Sequence, residues 1–313
     1  MTKLNLQVFG LALGLIQAVS AGLAPVPKFD HVKHVSLGKA DSFALVAEQS
    51  IYNDGTTTVV TGNVAVGGFG TSPAIYGFGP GAGTIIGTLP PQDRTPLANK
   101  VYIDAARAYK DAKARTATKT ITGNIGNQIL TPGVTKWSAG VDSTATYAYL
   151  DGTLVLDGLG DPKSIFIIQI PLRLEVGYYS SATVTLTRGA KACNVYWVVA
   201  GGVDLYGTVW KGNVLAEGVI YVQYSTVDGG LYSLGNYISI YNSNISKSIC
   251  HAGKHEHKEK EHGHKEKEHE HEEKDHKWGA EGHEGEEHSK PEWDGEWSDG
   301  EHDSDSGKGE DEN

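Results

Sequence analysis

The chain has 313 residues and a formal net charge of −11, from 27 Lys and Arg against 38 Asp and Glu. The acidity is local: residues 251–313 hold nine Lys and 23 Asp or Glu, a balance of −14, which leaves +3 on the remainder. No basic patch is present, which argues against a nucleic-acid partner, and the length allows one sizeable core or two small ones.

Lys3 precedes an apolar run, Leu6 to Val19, that ends in small residues at Ser20 and Ala21. A charged start, a short apolar centre and a small-residue exit predict a secretory signal peptide over residues 1–21. The run falls short of the ~20 residues that a spanning helix needs. No comparable run follows, and the charged carboxyl end argues against a lipid-anchor signal. The expectation is a secreted, extracellular protein with no membrane span. A short Pro-containing spacer covers residues 22–36.

Residues 37–250 are rich in Gly, Thr, Val, Ile and Tyr, and short alternating runs recur through them: TTTVVTGNVAV, TATYAYLDGTLVLDG, SIFIIQI, TVTLTRG and NVYWVVAGGVDLYG. Period-two alternation predicts half-buried strands, and many short ones suggest a sandwich, a barrel or a solenoid. The spacing decides among them. GVIYVQ and NYISIY begin at Gly218 and Asn236, eighteen residues apart, and Gly201 lies seventeen before Gly218. A near-constant period favours coils that stack one on the next.

One segment breaks the pattern. Thr95 is a suitable N-cap with Pro96 in the first helical position, and Leu97, Val101, Ala105, Ala108, Tyr109 and Ala112 form one apolar stripe. This predicts a helix over about residues 96–115, lying against one side of the solenoid.

Cys193 and Cys250 are the two cysteines. In an oxidising compartment they would bridge the last coil to an earlier one; otherwise Cys193 is a small buried hydrophobe. Asn244-Ile245-Ser246 is an acceptor sequon for an N-linked glycan.

From His251 onward almost no aliphatic residue remains, so residues 251–313 are expected to be disordered. Eleven of the thirteen His are here, and residues 255–275 divide into HEHKEKE, HGHKEKE and HEHEEKD. The seven-residue period lacks the apolar positions of a coiled coil. Each unit opens on a His-x-His pair: His255 with His257, His262 with His264, and His269 with His271. Such pairs suit Zn²⁺, Cu²⁺ or Ni²⁺ through imidazole. The plainer account is a solvating tail whose His titrate near their ordinary pKa of ~6.5.

The ordered series LGKADSFALVAEQSI, VVTGNVAVG, AARAYKDAKART, TGNIGNQILTPGVTKW, IFIIQI, ACNVYWVVAGGVDL and GNVLAEGVIYVQ resembles the secreted ice-binding proteins of fungi, bacteria and algae. The resemblance covers residues 37–250 and leaves out the tail. It implies an all-β fold, a right-handed, discontinuous β-solenoid with one long flanking α-helix. It further implies adsorption to ice through one flat face, with no catalysis and no required cofactor. TGN, at Thr61–Asn63 and Thr122–Asn124, is a signature of that family, and its Gly and Asn suit corners that need positive φ.

An ice-binding face must be rigid, regular and able to hold water in order. Thr suits it, because its methyl restricts χ1 while its hydroxyl anchors a water; charged side chains hold water in their own geometry. Family members often carry Thr-Ala/Gly-x-Thr on each strand. The matching positions here read Gly218-Val219-Ile220-Tyr221 and Asn236-Tyr237-Ile238-Ser239. With Ile220, Val222, Ile238 and Ile240 inward, the candidate ice-binding face is Val219, Tyr221, Tyr237 and Ser239, with Asn236 beside it. Preceding coils would add Gly202, Asp204, Arg173 and Glu175. A reserve candidate is the row Thr183, Thr185 and Thr187, alternating with inward Val184 and Leu186.

Two other readings of this surface stand beside ice. Tyr178, Tyr179, Tyr206, Tyr221, Tyr224, Tyr232, Tyr237 and Tyr241 crowd the last coils, and tyrosine presents an apolar face with a polar tip. An extracellular structural or carbohydrate-binding module, with cell-wall polysaccharide as partner and a metal-chelating tail, is the alternative function. Arg173, Glu175 and Asp204 supply the minimum pair of carboxylates for glycoside hydrolysis; a solvated ion pair is the simpler account, and the expectation is no enzyme.

Overall fold

In a computed structural model the described residues are 32–250, apart from 69, 71–72 and 141–143. The predicted signal peptide and the acidic tail lie outside the described residues. So do all six histidines expected to bind metal, His255, His257, His262, His264, His269 and His271.

A complete coil contributes one strand to each of three sheets, of nine, seven and eight strands, and every pairing among the described strands is parallel. The helix-covered sheet runs in the order Gln92–Asp93, Asn63–Val66, Phe43–Ala47, Leu231–Ser233, Asn213–Ala216, Val195–Val199, Phe166–Ile170, Gly133–Ser138 and Lys119–Thr122. The second sheet runs Tyr147–Leu150, Arg173–Val176, Val203–Tyr206, Ile220–Gln223, Ile238–Tyr241, Ile51–Asn53 and Ile75–Tyr76. The third runs Thr84–Ile86, Val59–Thr61, Asn244–Ser246, Thr226–Asp228, Val209–Lys211, Ala182–Thr187, Gly152–Asp157 and Ile129–Leu130.

The stack is discontinuous. The amino-terminal coils do not neighbour the coil that comes next after the helix, residues 119–130; they dock on the last coil, residues 231–246. Phe43–Ala47 pairs with Leu231–Ser233, Ile51–Asn53 with Ile238–Tyr241, and Val59–Thr61 with Asn244–Ser246. All three sheets therefore continue across one seam.

Alternation explains why the interior is apolar. Ile220, Val222, Ile238 and Ile240 of the second sheet, and Val60, Leu154, Val184, Trp210, Val227 and Ile245 of the third, are buried in one core. Trp197 packs on Trp210, with ring centroids 4.3 Å apart, and its indole N–H donates to the Lys211 carbonyl at 3.0 Å. Buried hydroxyls lock the coil spacing at the corner between the second and third sheets. Thr208 N–H donates to Ser225 Oγ at 3.1 Å, Ser225 N–H to Ser243 Oγ at 3.0 Å, and Ser243 N–H to Thr58 Oγ1 at 3.4 Å. That ladder steps once per coil and crosses the seam.

The helix runs Pro96–Ala114, and the Thr95 side chain accepts from the Ala98 N–H. Ala98, Val101, Ala105, Ala108, Tyr109 and Ala112 are its buried residues. Ala98, rather than half-buried Leu97, opens the stripe, because the 3-4-3-4 spacing that includes Val101 and Ala105 passes through it. At the other end, Gln169 Nε2 donates to the carbonyls of Ala112 and Arg115 at 2.9 and 2.8 Å, capping the helix from the sheet. Both faces of the central strands of this sheet are buried: Ile167, Tyr196, Leu215 and Tyr232 meet the helix side, while Ile168, Trp197, Val214 and Leu231 fill the solenoid. Tyr232, counted above with the surface tyrosines, belongs to this core, and its hydroxyl faces the Phe43 carbonyl at 3.1 Å.

The two TGN repeats bend where side chains would clash or strain. Gly62 and Gly123 have φ of +135° and +68°, whereas Asn63 and Asn124 do not take positive φ and serve their corners through their side chains. Asn63 Oδ1 accepts from the N–H groups of Thr88 and Leu89, both at 2.9 Å. Asn124 Oδ1 accepts from Gly126 and Asp151 N–H at 2.9 and 3.0 Å. Cys193 and Cys250 form a disulfide, with Cα atoms 5.4 Å apart.

Candidate functional site

Two solenoid sides are open to solvent, and the candidate residues divide between them. Val219, Tyr221, Tyr237, Ser239 and Asn236 lie on the second sheet or at its edge; Thr183, Thr185 and Thr187 lie on the third. The first group faces outward, alternating with buried Ile220, Val222, Ile238 and Ile240.

Register defines what surrounds that first group. One outward row of the second sheet reads Tyr149, Glu175, Asp204, Tyr221, Ser239, Tyr52, Tyr76. Tyr52 and Tyr76 reach it only across the seam. They stack at 5.1 Å with ring planes 5° apart, and Tyr52 meets Tyr237 edge-on at 5.8 Å. The Tyr221 and Tyr237 hydroxyls are 2.6 Å apart, so one donates to the other. Asn236 Oδ1 is engaged locally, accepting from the Tyr237 N–H at 3.2 Å.

The other end of this sheet is ionic. Arg173 Nε donates to Asp204 Oδ2 at 2.5 Å and stands 3.7 Å from Glu175. Burial raises the Glu175 carboxyl above its ordinary range, and Asp204 adds to the effect while Arg173 opposes it. Burial also raises the Asp204 carboxyl against the lowering influence of Arg173. This half of the face combines charge and phenol.

The third sheet has a different character. One outward row reads Thr153, Thr183, Val209, Thr226, Asn244, Val59, Thr84 across seven strands. It carries no charge, and four of its seven side chains are threonine. At ~4.8 Å per parallel strand it extends about 29 Å. The parallel row holds Ile129, Val155, Thr185, Lys211, Asp228, Ser246, Thr61 and Ile86 on successive strands. Its two charges pair with each other, Lys211 Nζ to Asp228 Oδ2, at 3.2 Å. Thr187 stands beyond both rows, opposite Asp157.

Sequence reading found Thr183 and Thr185 but not their row. Thr153 sits in a run recognised as a strand, yet the alignment of Val59 and Thr84 with Asn244 needs the seam. The sequon residue Asn244 is exposed within this row. No group of His, Cys, Asp and Glu suited to a metal ion occurs among the described residues. The metal expectation rests wholly on the tail pairs His255 with His257, His262 with His264, and His269 with His271, for which the structure gives no geometry. No helix among the described residues is long and apolar enough to cross a membrane.

A parallel, discontinuous β-solenoid with one docked helix and two solvent-facing sides defines the fold class of this chain. The chain belongs to the ice-binding-like family, whose match covers residues 45–246. It is 32% identical over 182 residues to an ice-binding protein of Nostoc sp. (strain HG1), a match that covers 58% of this chain and 61% of that one. The crystal structure of an ice-binding protein from the Antarctic ascomycete Antarctomyces psychrotrophicus superposes with a TM-score of 0.60 at 30% identity, covering 70% of this chain and all of that one. A second, from an Antarctic biological consortium, gives 0.61 at 31% identity, over 72% of this chain and 96% of that one. The family is one of ice binding, not of a chemical reaction.

Proposed function

We propose that this chain is an exported protein that adsorbs to ice, and that the third sheet is its adsorbing face. The row Thr153, Thr183, Val209, Thr226, Asn244, Val59, Thr84 carries the reading, because it repeats a short, uncharged side chain at strand spacing over seven coils. Threonine methyls restrict the rotamer and fill space between rows, while the hydroxyls hold water at recurring positions. The buried hydroxyl ladder and the packed tryptophans beneath keep those positions fixed. Adsorption is a surface exchange: ordered water on the face merges with the growing crystal, hydrogen bonds are exchanged, and no covalent bond is made or broken.

The patch of Val219, Tyr221, Tyr237 and Ser239 is the second candidate, favoured by its stacked neighbours Tyr52 and Tyr76. Thermal hysteresis and ice recrystallisation separate the two. Thr183→Tyr with Thr226→Tyr should remove most of the hysteresis of the full chain at unchanged circular dichroism. Tyr221→Ala with Ser239→Tyr should leave it intact. The opposite result assigns ice to the second sheet, and a wild-type chain without hysteresis sinks the ice reading.

A further inference from the structure

We propose that the cleft at the Arg173–Asp204 end of the second sheet is a binding site for a neutral polysaccharide, separate from the ice face. The cleft has a volume of about 390 Å³, within the range of small-ligand sites, roughly 300–1,000 Å³. Leu205 forms part of its base, and Tyr178, Tyr206 and Tyr221 stand around it with Gln223. Tyr178 and Tyr206 are 68% and 49% exposed, although their rings are the kind of surface that folding usually covers.

A pyranose ring needs two things of a site: an apolar face against its C–H surface, and both donors and acceptors for its hydroxyls. The exposed tyrosine rings supply the first. Glu175 supplies acceptors and Gln223 supplies both kinds of group. Arg173 is clamped on Asp204 at 2.5 Å, which fixes the guanidinium plane without a ligand. A polyanionic glycan would meet two carboxylates against one guanidinium, and that guanidinium is already committed; a neutral chain has no such conflict.

The site is open to a polymer rather than shaped for one sugar. From Tyr206 the rings continue edge-to-face to Tyr224 at 6.0 Å and on to Tyr241 at 5.2 Å, one per coil. The corner thus extends the aromatic lining of the cleft across three strands. The tyrosines fill no core position, and the serine ladder beneath holds this corner without them.

Titration calorimetry of the full chain with laminarin, cellohexaose and chitohexaose tests the proposal, with oligogalacturonate and chitosan oligomer as charged controls. At least one neutral probe should bind, and Tyr206→Ala with Tyr178→Ala should weaken it by about tenfold or more. Tyr76→Ala, outside the cleft, should not change the affinity. The double variant should also keep its thermal hysteresis, so that failure of this site and failure of the ice reading are told apart. Absence of heat with all neutral probes at about 5 mM, tighter binding of a charged control, or binding indifferent to the double variant would each overturn it.

Discussion

Lys247 is a buried cation at the seam where the last coil meets the first, with its side chain 2% exposed. Its backbone N–H donates to the Thr61 carbonyl at 2.9 Å, and its ammonium donates to Asn213 Oδ1 at 2.7 Å. Asp41 lies 3.9 Å away and the Tyr232 ring centroid 5.7 Å. Burial lowers its pKa from 10.5 to about 8, against the opposing pull of Asp41 and Asp228. Between those two values the unfolded chain binds more protons than the folded one, so stability rises with pH. The penalty is fully relieved above the unfolded pKa and returns as pH falls through about 8. At 1.36 kcal/mol per unit the whole effect is about 3 kcal/mol, of which about 2 should be recovered from pH 8 to 10. From about pH 9 buried Tyr196 and Tyr232, whose pKa values burial raises, bend the curve down, because the unfolded chain, with tyrosine pKa near 10, then loses protons that the folded one keeps. Urea unfolding at half-unit steps from pH 7 to 10.5 measures the slope. Lys247→Met should flatten it, since the titrating group is gone. A wild-type slope that is flat or falling between pH 8 and 9, where Lys247 alone should add about 1 kcal/mol, or a rise that survives in Lys247→Met, would refute the reasoning.

A glycan on Asn244 would stand on the third sheet. Chain glycosylated there should show far less thermal hysteresis than Asn244→Gln made in the same host, with occupancy read by mass spectrometry; equal hysteresis would exclude the third sheet. The Cys193–Cys250 bridge closes a separation of 57 residues, worth up to about 4 kcal/mol by chain entropy. Reduction should lower the urea midpoint accordingly, and a loss below about 1 kcal/mol would mean that the unfolded chain gains little freedom.

Some of this protein was legible in its residues. Alternation placed Ile220, Val222, Ile238 and Ile240 inside, and all four are buried. The intervals at Gly201, Gly218 and Asn236 revealed a stacked coil, because a solenoid repeats its own length. Thr95, Pro96 and the Val101–Ala112 stripe marked a helix that runs Pro96–Ala114. Local rules suffice for such features, since each depends on neighbours a few positions away. Tyr232 was misplaced for the same reason. Nothing near it in sequence reveals that helix-side residues cover the sheet, so its ring was counted at the surface.

The chain by itself determined the coil, the inward residues of the two solvent-facing sheets, and the family to which it belongs. Folding in three dimensions decided which coils are neighbours. Ser243 meets Thr58 across 185 residues, and that contact aligns Val59 and Thr84 with Asn244, and Tyr52 and Tyr76 with Ser239. Parallel strands exchange hydrogen bonds with whichever edge is presented to them, and every coil presents an equivalent edge. The order of stacking follows from how the seam packs around Lys247, Tyr232 and the buried hydroxyls, so the long threonine row exists only in the assembled column.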